Sequence, residues 1–383
     1  MNILMGSILN VDRDMNGVVV SAKELQDQLL HSGHSVALIS PYSVPYVTLL
    51  SWTESLGAKF ARFFGTSYIT LLNLAIKALI LTFRSIPVRK DYQYFHAHDI
   101  ITAMVFLLVT NKSNIVILHT HFHDSPWNEF VSGGFLKRNS PSFSLFKYLC
   151  TKTLSQKRLN LLHVSRSNQE FVQNLLPLEN RPSHVLYPGL SVSSDGIKSF
   201  DGDYIINVGS LDSRKRQIVL IEMLFELEKL GLSYPLLLVG PEQKQEKMRL
   251  QTRMQELQIK SPVYFMGEQK KSITRSLIKS ARLYVQTSTQ ESFGRTIMEA
   301  MFLKTPVVAF WNHAVLEILT DQAILDPCRS ITKNASTLYR LLTNKAIRSD
   351  LQAKQYNSFI QKFTANQMIE KYSLTLQQLG SAA

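Results

Sequence analysis

The chain has 383 residues, which suggests two domains or one large one, and its hydrophobic content of 45% is normal for a globular protein. Its net charge of +13 indicates anionic partners: nucleotide phosphates, a membrane surface or nucleic acid. The two cysteines, Cys150 and Cys328, give neither a metal-binding spacing nor a disulfide framework, which fits a reducing compartment.

The first forty residues predict a strand, a helix and a second strand. Residues 2–9 and 34–40 have the composition of strands, and residues 18–31 have that of a helix. The turn before the helix contains Gly17, at the sheet edge where open α/β proteins bind ligands. Residues 1–14 lack a basic segment and include Asp12, so we expect no signal peptide.

Residues 52–84 are apolar and aromatic, with basic residues interspersed. Their longest uncharged run, residues 63–76, is too short to cross a bilayer, so they predict one or two helices packed on the sheet. The same mixture would suit docking on an anionic membrane surface, and both interpretations stay open.

Histidines follow the next two predicted strands. Residues 92–97 lead into His98, and residues 114–118 lead into a run with His119, His121 and His123. Strand alternation would place the last three on one side, at a sheet edge where imidazoles suit hydrogen bonding or acid–base chemistry. Their spacing matches no familiar zinc pattern, so we expect no metal.

The rest of the chain predicts a second set of alternating strands and helices. Residues 124–140 are predicted to form a loop, and residues 191–202, rich in Ser, Gly and Asp, an interdomain linker. Strands are expected at residues 204–208, 235–239, 263–266, 283–287, 307–310 and 323–325, and a C-terminal helix at residues 351–379.

Two loops in this second half carry groups that bind anions or hydroxyls. After its first strand comes Gly209, followed by Ser210, Arg214 and Lys215. After the fourth strand come Glu291, Ser292, Phe293 and Gly294, whose amides at a helix N-terminus would favour an anion. Glu299 lies eight positions beyond Glu291, roughly 12 Å along an ideal helix, which fits the two ends of an extended ligand.

Residues 291–301 read Glu-Ser-Phe-Gly, four residues, then Glu-Ala-Met, and Thr-Pro-Val-Val follows at 305–308. This pattern resembles the signature of retaining glycosyltransferases of the large GT-B family 4, the glycosyl transferases group 1. Lys304 stands where the family usually has Gly. The resemblance covers most of the chain and is strongest over residues 204–310.

The resemblance implies an α/β fold of the GT-B type, with two Rossmann-like domains facing across a cleft. Residues 1–190 would form the acceptor-side domain, joined by a C-terminal helix at about residues 366–380, and residues 203–365 the nucleotide-sugar-binding domain. Such an enzyme moves a sugar, with retention and without a metal, from a nucleotide-sugar co-substrate to a hydroxyl acceptor. The acceptor would be a glycan, a lipid-linked molecule or a small molecule, and no separate cofactor is expected.

The resemblance also assigns roles to residues. The expected catalytic residues are His121 and Glu291. The expected donor-binding residues are Gly17, Ser210, Arg214, Lys215, Ser292, Phe293, Gly294 and Glu299. His98 and His119 are expected to contact the acceptor or the sugar.

Other interpretations stay open beside this one. A nucleotide-sugar epimerase would share the fold, and a non-catalytic sugar-nucleotide-binding subunit would keep only the donor half. No aromatic and basic module for nucleic acid is present in the sequence, so no nucleic-acid partner is expected. The expected location is the cytoplasm, with peripheral attachment to the cytoplasmic face of a membrane as the second alternative.

Overall fold

A computed structural model describes residues 1–11, 17–42, 46, 50–51, 66–122, 124–175, 183–191, 202–289, 291, 293–319 and 323–381. The chain divides into two compact units, Met1–Gly189 with Ala365–Ala383, and Leu190–Thr364. The predicted linker at residues 191–202 lies almost wholly outside the described residues.

The described part of the first unit contains a parallel sheet of six strands. The strands are β1 Asn2–Gly6, β2 Ser35–Ile39, β3 Tyr94–Ala97, β4 Ile115–Thr120, β5 Leu159–His163 and β6 Ser183–Val185. They lie in the order β2-β1-β3-β4-β5-β6, which reverses direction between β1 and β3. The helices are α1 Gly17–His31, α2 Thr66–Val88, α3 Ile100–Val109, α4 Pro126–Ser132, α5 Pro141–Leu154, α6 Arg166–Leu175 and a C-terminal helix Ala365–Ser381.

Both faces of this sheet are buried, because helices cover each side. On one face Phe95 packs among residues of α3 and α5. On the other face Tyr94 and Ile117 pack with Tyr372 and Leu376 of the C-terminal helix. The last residues of the chain therefore complete the core of the first unit.

Helix α2 is 23 residues long, and by length and composition it could cross a bilayer. Only 17% of its apolar 18-residue stretch is buried inside the protein. Five of its large apolar residues are exposed at spacings of three, four and seven: Tyr68, Leu72, Leu79, Phe83 and Ile86. We call these five residues the exposed apolar stripe, since such spacings share one face of a helix. The helix continues past residue 76, through Lys77 and Arg84, so the uncharged run alone understated its length.

The second unit contains another six-stranded parallel sheet in the part of the chain that the structure describes. The strands are β7 Ile205–Val208, β8 Leu236–Val239, β9 Val263–Gly267, β10 Leu283–Gln286, β11 Val307–Phe310 and β12 Ile324–Leu325, in the order β12-β11-β10-β7-β8-β9. A short 3-10 helix, Ser213–Lys215, follows β7. The α-helices are α7 Gln217–Lys229, α8 Lys244–Glu256, α9 Lys271–Ser280, α10 Arg295–Phe302, α11 His313–Ile318, α12 Ile331–Thr343 and α13 Lys345–Lys362.

Two predicted elements differ from the structure. The predicted loop at residues 124–140 contains helix α4, because Ser125 caps its N-terminus by accepting a hydrogen bond from the Asn128 amide at 3.3 Å. The helical pattern at residues 351–379 spans two helices, α13 and the C-terminal helix, which are separated at Phe363 and Thr364.

Candidate functional site

The candidate site of the second unit lies where its strand order reverses. Strands β7 and β10 are neighbours, and the chain leaves them toward opposite sides of the sheet. Because parallel strands end at the same edge, the segment after β7 and the segment after β10 meet there. Open α/β sheets bind ligands at such a switch point.

Lys215 and Glu291 form an ion pair at this switch point. The Lys215 Nζ atom donates a hydrogen bond to Glu291 Oε1 at 2.6 Å, and the side chains are 20% and 13% exposed. Thr287, just after β10, donates a hydrogen bond to the Lys215 carbonyl at 2.8 Å. The structure therefore brings together Lys215, which was expected to bind the donor, and Glu291, which was expected to be catalytic.

A network of buried polar side chains fixes the Glu291 carboxylate. Gln286 Nε2 donates a hydrogen bond to Glu291 Oε1 at 2.7 Å, and Gln286 is itself 2% exposed. The Tyr284 hydroxyl lies 3.2 Å from Gln286 Oε1 and 2.8 Å from the Thr296 hydroxyl. Burial raises the pKa of Tyr284, so it stays a hydrogen-bond donor. Gln286 and Tyr284 were not predicted as site residues, although a glutamine within a buried strand was a usable signal.

Glu299 lies on helix α10 and is nearly buried. The Arg275 Nη2 atom is 3.6 Å from Glu299 Oε1, which compensates the charge of the acid. Arg275 comes from helix α9 and was not predicted, because no local pattern links it to Glu299.

The loop before helix α10 contributes backbone rather than side chains. Gly294 has φ +90°, a conformation that favours glycine, and it begins the helix. The Phe293 ring packs edge-on against the Phe363 ring, with ring centroids 5.7 Å apart, so this side chain is part of the packing of the second unit. Ser292 lies outside the described residues.

Ser210 and Arg214 both contact Asp212. Ser210 donates to Asp212 Oδ2 at 2.5 Å, and Arg214 Nη2 lies 3.0 Å from the same oxygen. Burial opposes ionisation of Asp212, but these hydrogen bonds outweigh it and hold its pKa below the ordinary value. The neighbouring Arg216 lies over the Phe310 ring at 5.6 Å. The lysine of this segment, rather than an arginine, is therefore the group paired with Glu291.

In the first unit, Gly17 is the first residue of helix α1, and a Cβ atom there would meet nothing within 4 Å. Its neighbour Asn16 lies outside the described residues. Among the described residues, therefore, no packing contact requires glycine at this position.

Four histidines of the first unit share one face of the sheet. Strands β3 and β4 pair in parallel with Ala97 opposite Leu118, so the alternation of side chains places His96 and His98 on the same face as His119 and His121. Ring centroids lie 4.5 Å apart for His96 and His98 and 4.5 Å apart for His119 and His121. The structure thus joins His98, His119 and His121, and adds His96, which was not predicted as a site residue. His123 lies outside the described residues.

Three of these histidines are buried and His121 is half-buried, and within the described residues the four rings make few hydrogen bonds. His96 Nδ1 lies 2.6 Å from the Tyr372 hydroxyl of the C-terminal helix. No hydrogen-bond partner is present within the described residues for His96 Nε2, for His121 Nε2 or for either ring nitrogen of His98 and His119. Each such group costs about 1–3 kcal/mol when left unsatisfied. Burial lowers the pKa of all four, that of His121 to about 4, so they are neutral near pH 7.

His163, at the end of β5, is a further buried histidine that the sequence analysis did not single out. Its Nδ1 atom lies 2.8 Å from the Thr120 hydroxyl, which ties the ends of β4 and β5 together. Burial lowers the pKa of His163 to about 4, and His184 adds to the effect. The neutral His163 imidazole therefore links the ends of β4 and β5 through its hydrogen bond with Thr120.

Comparison with known proteins bears on both units. Residues 196–358 match the family described as glycosyl transferases group 1. No curated protein matches the chain. The resemblance to the group 1 glycosyltransferases of GT-B fold, predicted from residues 291–308, is therefore confirmed.

Solved structures share the fold at low sequence identity. Sucrose-phosphate synthase from Thermosynechococcus elongatus has a TM-score of 0.74 and 15% identity, with full coverage of both chains. HepE from Anabaena, in complex with UDP and glucose, has a TM-score of 0.67 and 14% identity over 99% of this chain and 100% of its own. A TarM mutant from S. aureus, in complex with fondaparinux, α-GlcNAc-glycerol and UDP, has a TM-score of 0.62 and 17% identity over 79% of this chain, which spans 58% of TarM. The GT-B fold is thereby confirmed.

Proposed function

We propose that this chain, whose second unit carries a glycosyl transferases group 1 domain, is a retaining glycosyltransferase. It would move a sugar from a nucleoside-diphosphate sugar to a hydroxyl acceptor during synthesis of a polysaccharide, glycolipid or other glycoconjugate. The observation that carries the proposal is the ion pair of Lys215 and Glu291 at the switch point of the second sheet. A donor of this class joins a diphosphate to a sugar, and this pair offers a cation for one beside a carboxylate for the other.

Each donor-site residue would contact a different part of the nucleotide sugar. Lys215 and the backbone amides of Phe293 and Gly294 would neutralise the diphosphate. Glu291, oriented by Gln286, would accept hydrogen bonds from hydroxyls of the transferred sugar. Glu299 would accept hydrogen bonds from the ribose.

Ser210 and Arg214 would line the diphosphate through Asp212, which holds them both. The roles of Gly17 near the diphosphate, of His121 at the transferred sugar, and of His98 and His119 at the sugar or acceptor are proposed from the sequence resemblance.

The proposed reaction retains the anomeric configuration. The bond from the anomeric carbon to the diphosphate oxygen breaks, and the acceptor oxygen bonds to that carbon from the same face. The acceptor proton passes to the departing diphosphate, so no covalent sugar–protein bond is needed. The protein then acts by positioning and by stabilising growing phosphate charge. Because Lys215 supplies positive charge, we propose that the reaction needs no added divalent ion.

Product analysis with labelled nucleotide sugars tests this function. UDP-sugars are the first donors to try, since the HepE and TarM structures contain UDP. Donors that raise the melting temperature of the protein would be incubated with glycan and lipid-linked acceptors. The anomeric configuration of the first product formed would then be determined by NMR. Transfer with retention is expected. Inversion, or failure of every donor to bind, would overturn the proposal.

The same assay separates the two alternatives. An epimerase would convert one nucleotide sugar into another without an acceptor. A non-catalytic subunit would bind a nucleotide sugar and leave it unchanged. The alternatives differ in the product recovered, so neither can be confused with transfer.

We further propose that the protein works in the cytoplasm and attaches peripherally to an anionic membrane surface through the exposed apolar stripe of α2. Leu72 and Phe83 of this stripe are 60% and 61% exposed, a degree of exposure that suits an interaction surface. The basic residues of α2 contribute less than the sequence suggested, because Lys77 lies over the Tyr42 ring and Arg84 donates to the Ser40 carbonyl. The net charge of +13 supplies the attraction to anionic lipid.

Vesicle co-sedimentation tests the attachment. The wild type should sediment with vesicles that contain anionic lipid, and less so as salt is raised. Replacing both Leu72 and Phe83 by glutamate should abolish sedimentation, whereas Leu374→Glu, at a 53% exposed position on the C-terminal helix, should not. Equal sedimentation of the double variant and the wild type would contradict the proposed surface.

A further inference from the structure

The imidazoles of His96, His98 and His119 converge at one point of the first sheet. One ring nitrogen from each of the three lies within 4.8 Å of the other two. The register of β3 and β4 creates this arrangement. His96 lies opposite Ile117, and residues that lie opposite each other on adjacent parallel strands, or two positions further along, project from the same face of the sheet. A spacing rule applied to a single stretch of sequence cannot detect such a cluster.

Each of the three residues has at least one buried ring nitrogen without a hydrogen-bond partner among the described residues. His98 and His119 are 3% and 4% exposed, and within the described ranges neither ring nitrogen of either residue has a hydrogen-bond partner. His96 uses Nδ1 for the Tyr372 hydroxyl, and its Nε2 atom has no partner there either. Buried polar atoms without partners are rare in folded proteins, so a group that satisfies all three is called for.

We propose that His96, His98 and His119 bind a divalent transition-metal ion of the zinc class in the first unit. Neutral imidazole nitrogen is a preferred ligand of Zn²⁺, and the absence of carboxylates from the group disfavours Ca²⁺ and Mg²⁺. A water molecule would complete the tetrahedron, since a zinc ion with three protein ligands commonly keeps its fourth position for water. Since Zn–N bonds of about 2.0–2.1 Å place ligands about 3.4 Å apart, binding draws the three rings together by roughly 1 Å.

Tyr372 acts on this site through His96. When His96 Nδ1–H donates to the Tyr372 hydroxyl, Nε2 carries the lone pair and is free for a metal ion, and outer-shell partners of metal-bound histidines commonly act in this way. Tyr372 lies on the C-terminal helix, so the ion would connect that helix to β3 and β4. The ion is proposed as a structural element of the first unit, and with His98 and His119 as its ligands it would replace the sugar or acceptor contact proposed above for these two residues from the resemblance.

Metal binding by tag-free, full-length protein tests the proposal. The protein would be stripped with a chelator, dialysed and titrated with Zn²⁺ against a chromophoric chelator, and the Co²⁺ form examined by visible absorption. One ion per chain, tetrahedral Co²⁺ bands and a melting temperature raised by Zn²⁺ are expected. Tyr372→Phe should weaken binding by about 10–100-fold, the usual effect of losing an outer-shell partner.

Matched variants separate this site from chance binding by other histidines. Replacing His98 and His119 together by asparagine should abolish binding, whereas His163→Gln, which changes another buried histidine of the same sheet, should leave it intact. Circular dichroism establishes that the variants are folded. The proposal is overturned if the wild type binds no Zn²⁺ at micromolar concentration, or if the double variant binds it as the wild type does.

Discussion

At the scale of single residues, the ion pair of Lys215 and Glu291 gives the donor-free protein a balanced charge at the candidate site. A diphosphate would compete with Glu291 for the Lys215 ammonium, because both are anions within reach of one cation. Binding of the donor then exchanges one ionic partner for another. The exchange frees the Glu291 carboxylate to accept hydrogen bonds from sugar hydroxyls.

Removing the lysine tests the diphosphate contact. Lys215→Ala should weaken binding of the nucleoside diphosphate by about 1.5–3 kcal/mol, the range for a charged hydrogen bond. Lys229→Ala, which removes an exposed lysine paired with Glu226, should leave the affinity unchanged. The measurement is isothermal titration calorimetry with the diphosphate alone, and an unchanged affinity in folded Lys215→Ala would remove this assignment.

The two glutamates should fail in different ways when each is changed to glutamine. Glu291→Gln should lower turnover while diphosphate binding survives or tightens, because Lys215 loses its competing anion. Glu299→Gln should weaken binding of donor and free nucleotide alike, because both contain the ribose. Paired titrations with initial rates distinguish these outcomes, and wild-type turnover by Glu291→Gln would show that the carboxylate is not needed.

The sequence predicted Lys215 and Glu291 because each lies in a loop directly after a strand. It did not predict Gln286, Arg275 or His96, for which the reason is physical. Each acts through a partner distant in the chain or on another element, and a one-dimensional pattern contains no information about side-chain contact. The contact of the Phe293 ring with Phe363 was not predicted for the same reason, since the two residues are distant in the chain.

At the scale of elements, the strands were predicted closely because buried parallel strands are continuous apolar runs. Strand β11 has the predicted bounds, Val307–Phe310, and the other boundaries moved by a few residues. Helix α4 was missed because its seven residues depend on the Ser125 cap and Pro126 rather than on periodicity. The amphipathic pattern continues across the gap between α13 and the C-terminal helix, but that gap, at Phe363 and Thr364, lies close to the start expected for the last helix at about residue 366.

The turn between α10 and β11 shows why related sequences usually have glycine where this chain has Lys304. Its φ of +59° lies in the left-handed region, where glycine is free of strain. Lys304→Gly should therefore be more stable than Lys304→Ala by about 1 kcal/mol, since both lose the contact of the ammonium with the Tyr356 ring. Urea unfolding of the two variants measures the difference, and an alanine variant as stable as the glycine variant would contradict it.

At the scale of the whole molecule, the described part of each unit contains a parallel sheet whose order reverses once, and His98 in the first unit and Glu291 in the second, both singled out from the sequence, follow a strand at that reversal. Gly209 and Glu291 flank the reversal of the second sheet. In the first sheet, Asp99 follows β3 and accepts a hydrogen bond from the Ile8 amide after β1 at 2.7 Å. Strand–helix alternation made the α/β class predictable, but strand order depends on tertiary packing.

The stability of the first unit should depend on pH through His163. The unfolded chain takes up a proton near pH 6.5, whereas the folded imidazole stays neutral down to a pKa of about 4. Stability is therefore full above pH 6.5 and is lost as pH falls toward 4, by up to about 3 kcal/mol for this group. His163→Gln, compared with the wild type by denaturant unfolding at pH 7 and 4.5 in chelator, should reduce this loss. An identical pH dependence of the two proteins would contradict the buried neutral imidazole.

The C-terminal helix has a consequence for how the protein is made. A ribosome releases the segment that ends at Gly189 long before it synthesises Tyr372 and Leu376, which cover Tyr94 and Ile117. During the translation of residues 190–364, the nascent first unit therefore exposes an apolar surface, which the C-terminal helix later covers. We therefore expect the growing polypeptide to depend on a chaperone during that interval, and a premature stop before residue 365 to yield an aggregating product.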